Sequence, residues 1–478
     1  MKYNWTFTIK DLEEIDKYYN KKKEEVEKFR EYSKPQRKIL STYEKIKKII
    51  ESINLLKKKT YINKLIDFLN GKEKPDSFQK LKRNYFLGRI LYSANKYFLK
   101  VRVSLNYLKF KNKKIDKLCF LPIIIQKLIA NKIVENGIAE KPNRNKAIEE
   151  LIKFLRRELE NLEEFQIIRA DFRSYALNIR RKKIFEILKR RNIPENIINL
   201  IKKFIEDSTI EARIFKSYDF EKFFKKIEYK DDYEFDGDFK SIIGYEGILP
   251  GTPLANILGQ LYLEEFDEEM KGLAGNKGFY IRYFDDLILI IPNEKLREAK
   301  KKIFNYLSKF YEIEKEKINE IFKIDYIKLK QNSSFEFLGY KFEVENKSLK
   351  ISVRYKTIRK FIYKFIYEYR PNRKQELVNF LVAKNYYLFC WLYSFKYIND
   401  HELLEKIYLR IILPNIYLTL KKFKIEEKFD NIKKFYRLKT ILRIVRTMGK
   451  EKQYEKLEEL KNKIGSVLCL ANNTKGEF

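Results

Sequence analysis

Two adjacent aspartates, Asp285 and Asp286, lie between two short apolar runs at residues 279–283 and 287–291. Both runs have the length and the β-branched and aromatic composition of strands. The simplest geometry is a tight hairpin with the two carboxylates at or near its tip. Carboxylates about 4 Å apart repel by roughly 4 kcal/mol at an intermediate dielectric, so a cation such as Mg²⁺ is expected there. For this pair alone, a polar turn without a ligand is the alternative.

Asp171 supplies a third carboxylate, at the end of another strand-like run that covers residues 165–170. Two strands that deliver carboxylates from their ends can share a pair of divalent ions, as in enzymes of in-line phosphoryl transfer. One ion would activate a 3′-hydroxyl, and the other would stabilise the leaving pyrophosphate. Positioning and charge neutralisation would then account for most of the rate enhancement, so a catalytic base is hardly needed. This suits a chain whose one histidine is His401.

Four sequence boxes, in this order along the chain, resemble the motifs of reverse transcriptases. They are Asp171 to Tyr175, similar to the first palm motif; Gly247 to Asn256 with Leu261-Tyr262-Leu263, similar to G-x-x-x-G-x-P-L and N-x-Y-L; Tyr283-Phe284-Asp285-Asp286, similar to Tyr-x-Asp-Asp; and Phe337-Leu338-Gly339-Tyr340, similar to the primer-grip box. The resemblance covers roughly residues 85 to 345.

The resemblance implies an α/β (α+β) fold of the right-hand polymerase type, with fingers, palm and a helical thumb. With the break at residues 71–76 and the helical pattern of the C-terminal part, we expect an N-terminal helical extension at residues 1–75, fingers and palm at 76–345, and the thumb with an enlarged all-helical C-terminal region at 346–478. The resemblance also implies that three catalytic carboxylates hold two Mg²⁺ ions, with Mn²⁺ as a substitute and Phe172 as a further member of the metal site. The carboxylates are Asp171, Asp285 and Asp286.

The resemblance further implies contacts with an incoming deoxynucleotide. The residues concerned are Arg144, Tyr175, Ala176, Gly251, Thr252, Tyr283 and Lys330. Arg144 would bind the triphosphate at a helix N-terminus, where free backbone N–H groups add to the attraction; a solvated basic turn is the alternative. Lys330 would neutralise pyrophosphate, or it is an ordinary surface lysine.

Three positions depart from the family pattern. Ala176 stands where a bulky aromatic residue usually excludes a 2′-hydroxyl, Pro250 replaces a common glutamine, and Gln260 replaces a common asparagine. Sugar selectivity and faithful copying of arbitrary RNA are therefore open. These departures and the long helical C-terminus look most like the bacterial defence-associated and abortive-infection branch of the family.

Composition favours nucleic acid as the partner. The 478-residue chain has 103 lysines and arginines against 67 aspartates and glutamates, a formal net charge of +36. A strongly cationic surface attracts polyanions, although the coding bias of an AT-rich genome is an alternative source of the lysines. Three scattered cysteines fit a reducing cytoplasm. The absence of a long apolar run excludes a membrane-spanning segment.

We therefore expect a magnesium-dependent, cytoplasmic DNA polymerase that serves antiphage defence and is either RNA-templated or template-independent. Its partners would be RNA or single-stranded DNA, deoxynucleoside triphosphates and, as an open alternative, further copies of the chain. Two other hypotheses stay open. One is a non-catalytic RNA-binding or assembly protein on a polymerase scaffold, and the other is a retron-type enzyme that copies a dedicated RNA.

Local patterns give further expectations for the fold. Residues 8–68 have helical periodicity, and Thr252-Pro253 has the form of a helix start, with threonine as the cap and proline in the first turn. Residues 335–344 and 349–353 read as a hairpin around Asn346-Lys347, followed by helices only.

Overall fold

The computed structural model of the chain describes a large part of its residues. The described residues are 4–32, 37–57, 63, 65–67, 69–72, 100–104, 109–114, 120–172, 175–206, 210–213, 233–236, 239–242, 247–248, 252–312, 318, 324–330, 332–345, 347–367, 371, 376–447 and 453–468. The chain divides into two compact units. Unit 1 comprises Met1–Glu24, Thr42–Asn143 and Ile168–Asp325, and unit 2 comprises Glu25–Ser41, Arg144–Ile167 and Tyr326–Phe478.

Helices and strands are interspersed as far as Val353, and the described elements beyond it are helices. The elements up to the acidic hairpin are α1 (Ile9–Tyr32), α2 (Arg37–Leu56), β1 (Lys100–Ser104), β2 (Lys109–Lys114), α3 (Phe120–Glu135), α4 (Arg144–Arg157), β3 (Phe165–Asp171), α5 (Arg181–Arg190), α6 (Glu195–Glu206), β4 (Ile210–Arg213), β5 (Tyr233–Asp236), β6 (Phe239–Ile242), α7 (Pro253–Tyr262) and α8 (Glu264–Ala274). Those from the hairpin onwards are β7 (Phe279–Tyr283), β8 (Asp286–Pro292), α9 (Leu296–Tyr311), β9 (Asp325–Lys328), β10 (Ser334–Phe337), β11 (Tyr340–Glu345), β12 (Ser348–Val353), α10 (Tyr355–Tyr367), α11 (Leu377–Ser394), α12 (His401–Ile407), α13 (Leu413–Lys422), α14 (Phe429–Lys433), α15 (Leu438–Thr447) and α16 (Gln453–Leu468).

Strands β7, β8 and β3 lie side by side in one sheet, in that order. Strands β7 and β8 form the predicted antiparallel hairpin, in which Tyr283 pairs with Asp286 across the turn. Residues 287–291 of β8 are fully buried. An inner strand that is buried on both faces needs a continuous apolar run, which is what Leu-Ile-Leu-Ile-Ile supplies.

Helix α7 begins as the sequence predicts. The Thr252 hydroxyl accepts a hydrogen bond of 3.2 Å from the Ala255 backbone N–H, and Pro253 occupies the first turn. A threonine cap satisfies one of the N–H groups that have no partner inside the helix, and proline costs nothing there because it has no N–H to lose. The three leucines and the isoleucine of α7 are buried in unit 1.

Unit 2 contains an antiparallel sheet with the order β10-β11-β12. The predicted pairing around residues 346–347 is confirmed, because Val344 pairs with Leu349 and Glu345 with Ser348. The prediction of residues 335–344 as one arm is wrong, because that run is divided into two antiparallel strands, β10 and β11. A tight turn joins β10 to β11, where Phe337 pairs with Tyr340. Both central residues of this turn have positive φ, 46° at Leu338 and 86° at Gly339, as a type I′ turn requires.

The described elements of unit 2 after β12 are the helices α10 to α16, as the sequence predicts. Asp400 caps α12 by accepting a 3.0 Å hydrogen bond from the Leu403 backbone N–H. Several aromatic residues of α11 belong to the core of unit 2: Tyr386 is 5% exposed, Phe389 8% and Trp391 8%. Among the described residues, no helix combines the length and apolarity that a membrane crossing requires.

Gly278 allows the chain to enter the acidic hairpin. A Cβ atom at this position would lie 2.5 Å from the backbone oxygen of Ile290 and 2.7 Å from that of Ala274. Because both neighbours are backbone atoms, they cannot move aside without disturbing β8 or the end of α8. We expect Gly278→Ala to lower the free energy of unfolding by at least about 1 kcal/mol, within the range for local strain.

Gly272→Ala, in the same unit, is the matched control. Nothing lies within 4 Å of a Cβ at this exposed position of α8. The added methyl should stabilise unit 1 by about 0.4–1 kcal/mol by restricting the unfolded chain. Urea unfolding of both variants measures the difference. Equal stabilities would show that the packing around Gly278 is loose.

Candidate active site

Asp171 and the Asp285-Asp286 pair belong to adjoining strand ends. The Phe172 backbone N–H donates a 3.0 Å hydrogen bond to the Asp285 carbonyl, directly beyond the last residue of β3. This bond joins, in unit 1, the backbones of two segments whose aspartates are more than a hundred residues apart along the chain. The Asp171 side chain is exposed, whereas Asp285 and Asp286 are half-buried.

The turn between β7 and β8 consists of Phe284 and Asp285. Phe284 has a φ of 58°, whereas Asp285 does not have a positive φ. This combination matches a type II′ turn, whose first central position is normally glycine. A phenylalanine in the left-handed region is strained, so surrounding contacts must stabilise the turn. One contact is the edge-to-face pair of the Tyr283 and Phe284 rings, whose centroids are 4.7 Å apart.

Arg282 supplies a stronger contact beneath the turn. Its side chain is 1% exposed, and one guanidinium N–H donates a 2.8 Å hydrogen bond to the Phe284 carbonyl. The rest of the guanidinium binds Asp267 of α8 in a bidentate manner, at 2.7 Å from Nε and 2.6 Å from Nη2. A further N–H reaches the Gln260 carbonyl at 3.3 Å. Arg282 therefore ties the tip of the hairpin to α7 and α8.

Asp267 supplies the negative charge and the hydrogen-bond acceptors that compensate the buried guanidinium of Arg282. Burial acts to lower the pKa of Arg282, but its hydrogen bonds and charge contact with Asp267 outweigh burial and raise that pKa. Tyr280 donates a 2.6 Å hydrogen bond to the same carboxylate. Burial raises the pKa of Tyr280 well above its ordinary value, so the phenol stays protonated and keeps donating.

The electrostatic state of Asp285 differs from that of an exposed aspartate. Burial raises its pKa above the ordinary value, while the backbone N–H groups of Asp285 and Asp286 act in the opposite direction. The ionised form is therefore costly at this position unless a cation lies nearby. A carboxylate in such a position is suited to binding a cation.

The donor set is compatible with a divalent metal ion. Carboxylates are the hard oxygen ligands that Mg²⁺ prefers, and the hydrogen bond from the Phe172 N–H to the Asp285 carbonyl joins the backbones of the segments that carry Asp171 and Asp285. Among the residues that the structure describes, no group of three or more His, Cys, Asp or Glu is gathered as a metal cluster. Phe172 has a buried ring, so only its backbone oxygen could contribute to a metal site.

Tyr175 and Ala176, two predicted nucleotide contacts, follow β3 in unit 1. The Tyr175 hydroxyl donates to the Gly259 carbonyl of α7, and its ring stacks on Phe310 at a centroid distance of 5.9 Å. Burial raises the pKa of Tyr175 well above its ordinary value. The Ala176 carbonyl accepts a 2.7 Å hydrogen bond from the Ile248 N–H, which ties this segment to the one that leads into α7.

The remaining predicted residues of unit 1 are in three different situations. Thr252 is 6% exposed, and its hydroxyl caps α7. Tyr283 is half-buried at the end of β7 and pairs with Asp286 in the sheet. Gly251 lies outside the described residues.

Unit 2 contains the other predicted residues. Phe337 and Tyr340 are buried, and with Leu338 and Gly339 they form the tight turn described above. Lys330 is exposed just after β9, and its backbone N–H donates a 3.3 Å hydrogen bond to the Ser333 hydroxyl.

Arg144 contacts this turn within unit 2. Its guanidinium donates hydrogen bonds of 2.5 Å to the carbonyls of Leu338 and Ser394. It also lies over the Tyr340 and Phe395 rings, 5.3 Å and 4.9 Å from their centroids. Through these contacts Arg144 joins the start of α4 to the β10–β11 turn and to the end of α11.

Sequence reasoning missed Arg282 and Asp267. An arginine inside an otherwise apolar strand, three residues before an aspartate pair, is a signal that a buried ion pair is needed. Its partner could not be chosen from sequence, because α8 carries several acidic residues.

We expect Arg282→Met to lower the free energy of unfolding by roughly 3–5 kcal/mol, because it leaves Asp267 as an uncompensated buried charge. Adding Asp267→Leu should restore most of this stability, since an apolar pair of similar volume replaces the ion pair. Hydrogen exchange at residues 283–286 should stay faster in both variants, because the Phe284 carbonyl has lost its donor in each. Arg297→Met, at an exposed position of α9, should change stability by no more than about 0.5 kcal/mol. A double variant as unstable as the single one would contradict the charge argument.

Comparison with known proteins gives one strong match. The family model described as "Reverse transcriptase (RNA-dependent DNA polymerase)" matches residues 100–342, just over half of the chain. Among curated proteins, no sequence matches.

Solved telomerase structures are weakly similar to the chain. Telomerase from Candida tropicalis in complex with a TWJ fragment of telomeric RNA is 17% identical, covers 86% of this chain and 59% of its own, and has a TM-score of 0.38. A C-terminally truncated apo telomerase of the same organism is 16% identical, with coverage of 58% and 51% and a TM-score of 0.35. The chain thus spans little more than half the length of these proteins. By the match to its family model, the chain belongs to the reverse transcriptase (RNA-dependent DNA polymerase) family.

Proposed function

We propose that the chain is a DNA polymerase that transfers deoxynucleotides to a 3′-end or a protein hydroxyl, using Asp171, Asp285 and Asp286 as its metal-binding carboxylates. The observation that carries this proposal is the hydrogen bond from the Phe172 N–H to the Asp285 carbonyl. Reverse transcriptase domains generally use divalent metal ions. Two such ions would supply charge neutralisation at the attacking and leaving oxygens.

The residues around the site have separate tasks in this proposal. The three aspartates hold negative charge where cations and the triphosphate must meet. Arg282 fixes the strained Phe284 turn, so that Asp285 and Asp286 leave it in one orientation. The +36 net charge draws the polyanionic strand to the protein, and that attraction weakens as salt is added.

Within this proposal, the polymerase is either RNA-templated or template-independent, has fingers, palm and helical thumb, and acts in the cytoplasm in bacterial antiphage defence. The defence role is supported by the departures at Ala176, Pro250 and Gln260 and by the helical C-terminal region. A plaque assay tests this part. Bacteria that carry the protein should be protected against phage, and the variant Asp285→Asn/Asp286→Asn should lose that protection. Undiminished protection by that variant would separate defence from polymerisation.

The variant Asp285→Asn/Asp286→Asn should incorporate labelled deoxynucleotides at least about a hundredfold more slowly, as expected when preorganised transition-state stabilisation is removed. Asparagine keeps the side-chain shape and removes only the charge. Glu294→Gln, an exposed carboxylate just after β8, is the control and should retain full activity. Incorporation is measured with Mg²⁺ and with Mn²⁺. If the unaltered protein binds RNA but incorporates nothing with either ion, the non-catalytic RNA-binding alternative replaces this proposal.

Sugar selectivity should be weak, because neither residue available after β3 can exclude a 2′-hydroxyl. Ala176 is small, and the Tyr175 hydroxyl is bonded to the Gly259 carbonyl. We expect Ala176→Phe to raise the preference for deoxynucleotides over ribonucleotides at least about tenfold, equivalent to 1.4 kcal/mol of differential transition-state binding. The ratio of the two kcat/KM values measures it, with Ala176→Ser as the control. An unchanged ratio would show that the sugar of the bound nucleotide does not lie next to residue 176.

A further inference from the structure

Helix α10 in unit 2 exposes large aromatic rings to solvent. Tyr355 is 76% exposed, Tyr363 63% and Tyr367 60%, which puts them among the most exposed large apolar side chains in the described part of the chain. The rings of Tyr363 and Tyr367 contact each other, with centroids 5.3 Å apart. Single exposed apolar residues are ordinary, but these three tyrosines, spaced by eight and then four residues along one helix, form an exposed aromatic patch, which indicates a binding surface.

Basic residues lie between these tyrosines. Lys356, Arg359, Lys360 and Lys364 are all exposed. At 3.6 residues per turn they share the solvent-facing half of α10 with the tyrosines, while Phe361 and Phe365 on the opposite half are buried. The helix contains no aspartate or glutamate. We define this aromatic and basic half of α10 as the Tyr–Lys face.

The chemistry of the Tyr–Lys face selects one class of partner. Lysine and arginine bind phosphates, whereas tyrosine rings stack on the faces of bases. Bases in a duplex are covered by their neighbours, so only an unpaired strand offers phosphates and base faces together. We propose that the Tyr–Lys face binds single-stranded nucleic acid, with Tyr355, Tyr363 and Tyr367 as stacking platforms. This proposal rests on the proposed function only in that the strand would be a template, primer or product of the polymerase.

The dimensions fit a short strand. Tyr355 and Tyr367 are twelve residues apart, which is about 18 Å along the axis of an α-helix at 1.5 Å per residue. At about 3.4 Å per nucleotide along one strand, this length accommodates about five nucleotides. Non-specific single-strand sites commonly cover about 4–16 nucleotides.

The test compares matched variants of the full-length protein in binding to fluorescein-labelled dT15, U15 and a 15-base-pair DNA duplex. EDTA is present, so binding is measured without metal-dependent catalysis. We expect Tyr355→Ala/Tyr363→Ala to weaken binding to dT15 or U15 at least tenfold, because each lost stack is costly. Tyr355→Phe/Tyr363→Phe keeps the rings and should bind as the unaltered protein does.

One control and one further variant separate base stacking from non-specific apolar and electrostatic contributions to binding. Tyr417→Ala/Leu418→Ala removes exposed apolar side chains of α13, 38% and 63% exposed, and should leave the affinity unchanged. Lys356→Gln/Lys360→Gln should reduce the salt dependence of binding by a slope of about 0.7 per lost phosphate contact. All altered side chains are exposed, so thermal unfolding should match among the variants.

The outcomes are decisive for this face whatever the polymerase assay gives. Loss of single-strand binding in the alanine variant with retention in the phenylalanine variant supports the proposal, even if the protein incorporates no nucleotide. Equal affinity of the alanine variant and the unaltered protein overturns it, even if the polymerase is active. Tighter binding of the duplex than of both single strands overturns it as well. The relative affinities for dT15 and U15 show whether the strand is DNA or RNA.

Discussion

The backbone contact between the end of β3 and the β7–β8 turn is the constraint on which the candidate site in unit 1 depends. It puts Asp171, Asp285 and Asp286 on adjoining strand ends, where a close approach of their carboxylates would be costly without a cation. The hydrogen bond between the Phe172 N–H and the Asp285 carbonyl sets this arrangement. The fully buried β8 anchors it, because a strand covered on both faces cannot slip in register without exposing its apolar residues.

The turn at Phe284 shows how that constraint is met locally. A bulky residue at a φ of 58° is unfavourable by itself. Arg282 offsets this strain by donating to the Phe284 carbonyl, and Asp267 offsets the buried charge of Arg282. Burying such a pair contributes little net stability compared with an apolar pair. Its benefit is that it specifies a single orientation for the turn.

Much of the framework could be predicted from local sequence. The β7–β8 hairpin follows from two apolar runs around Asp285-Asp286, and the α7 start follows from Thr252-Pro253, because both signals act over a few residues. The neighbours of Arg282 and Tyr175 could not be predicted in the same way. Their partners, Asp267 and Gly259, lie on helices elsewhere in the sequence, and only tertiary packing selects them. Arg144 illustrates the same limit, since its contacts with Leu338 and Ser394 span about two hundred residues or more.

The central claim is that Asp171 shares one metal-binding site with Asp285. Binding of Mn²⁺ to four proteins tests it most directly: the unaltered chain, Asp171→Asn, Asp285→Asn and the double variant, with the exposed Asp430→Asn as control. The account predicts that each single substitution lowers Mn²⁺ affinity at least about tenfold, a loss of 1.4 kcal/mol in binding free energy, and that the double variant loses much less than the sum. Additive losses, or an Asp171→Asn variant that binds Mn²⁺ as the unaltered chain does, would contradict it.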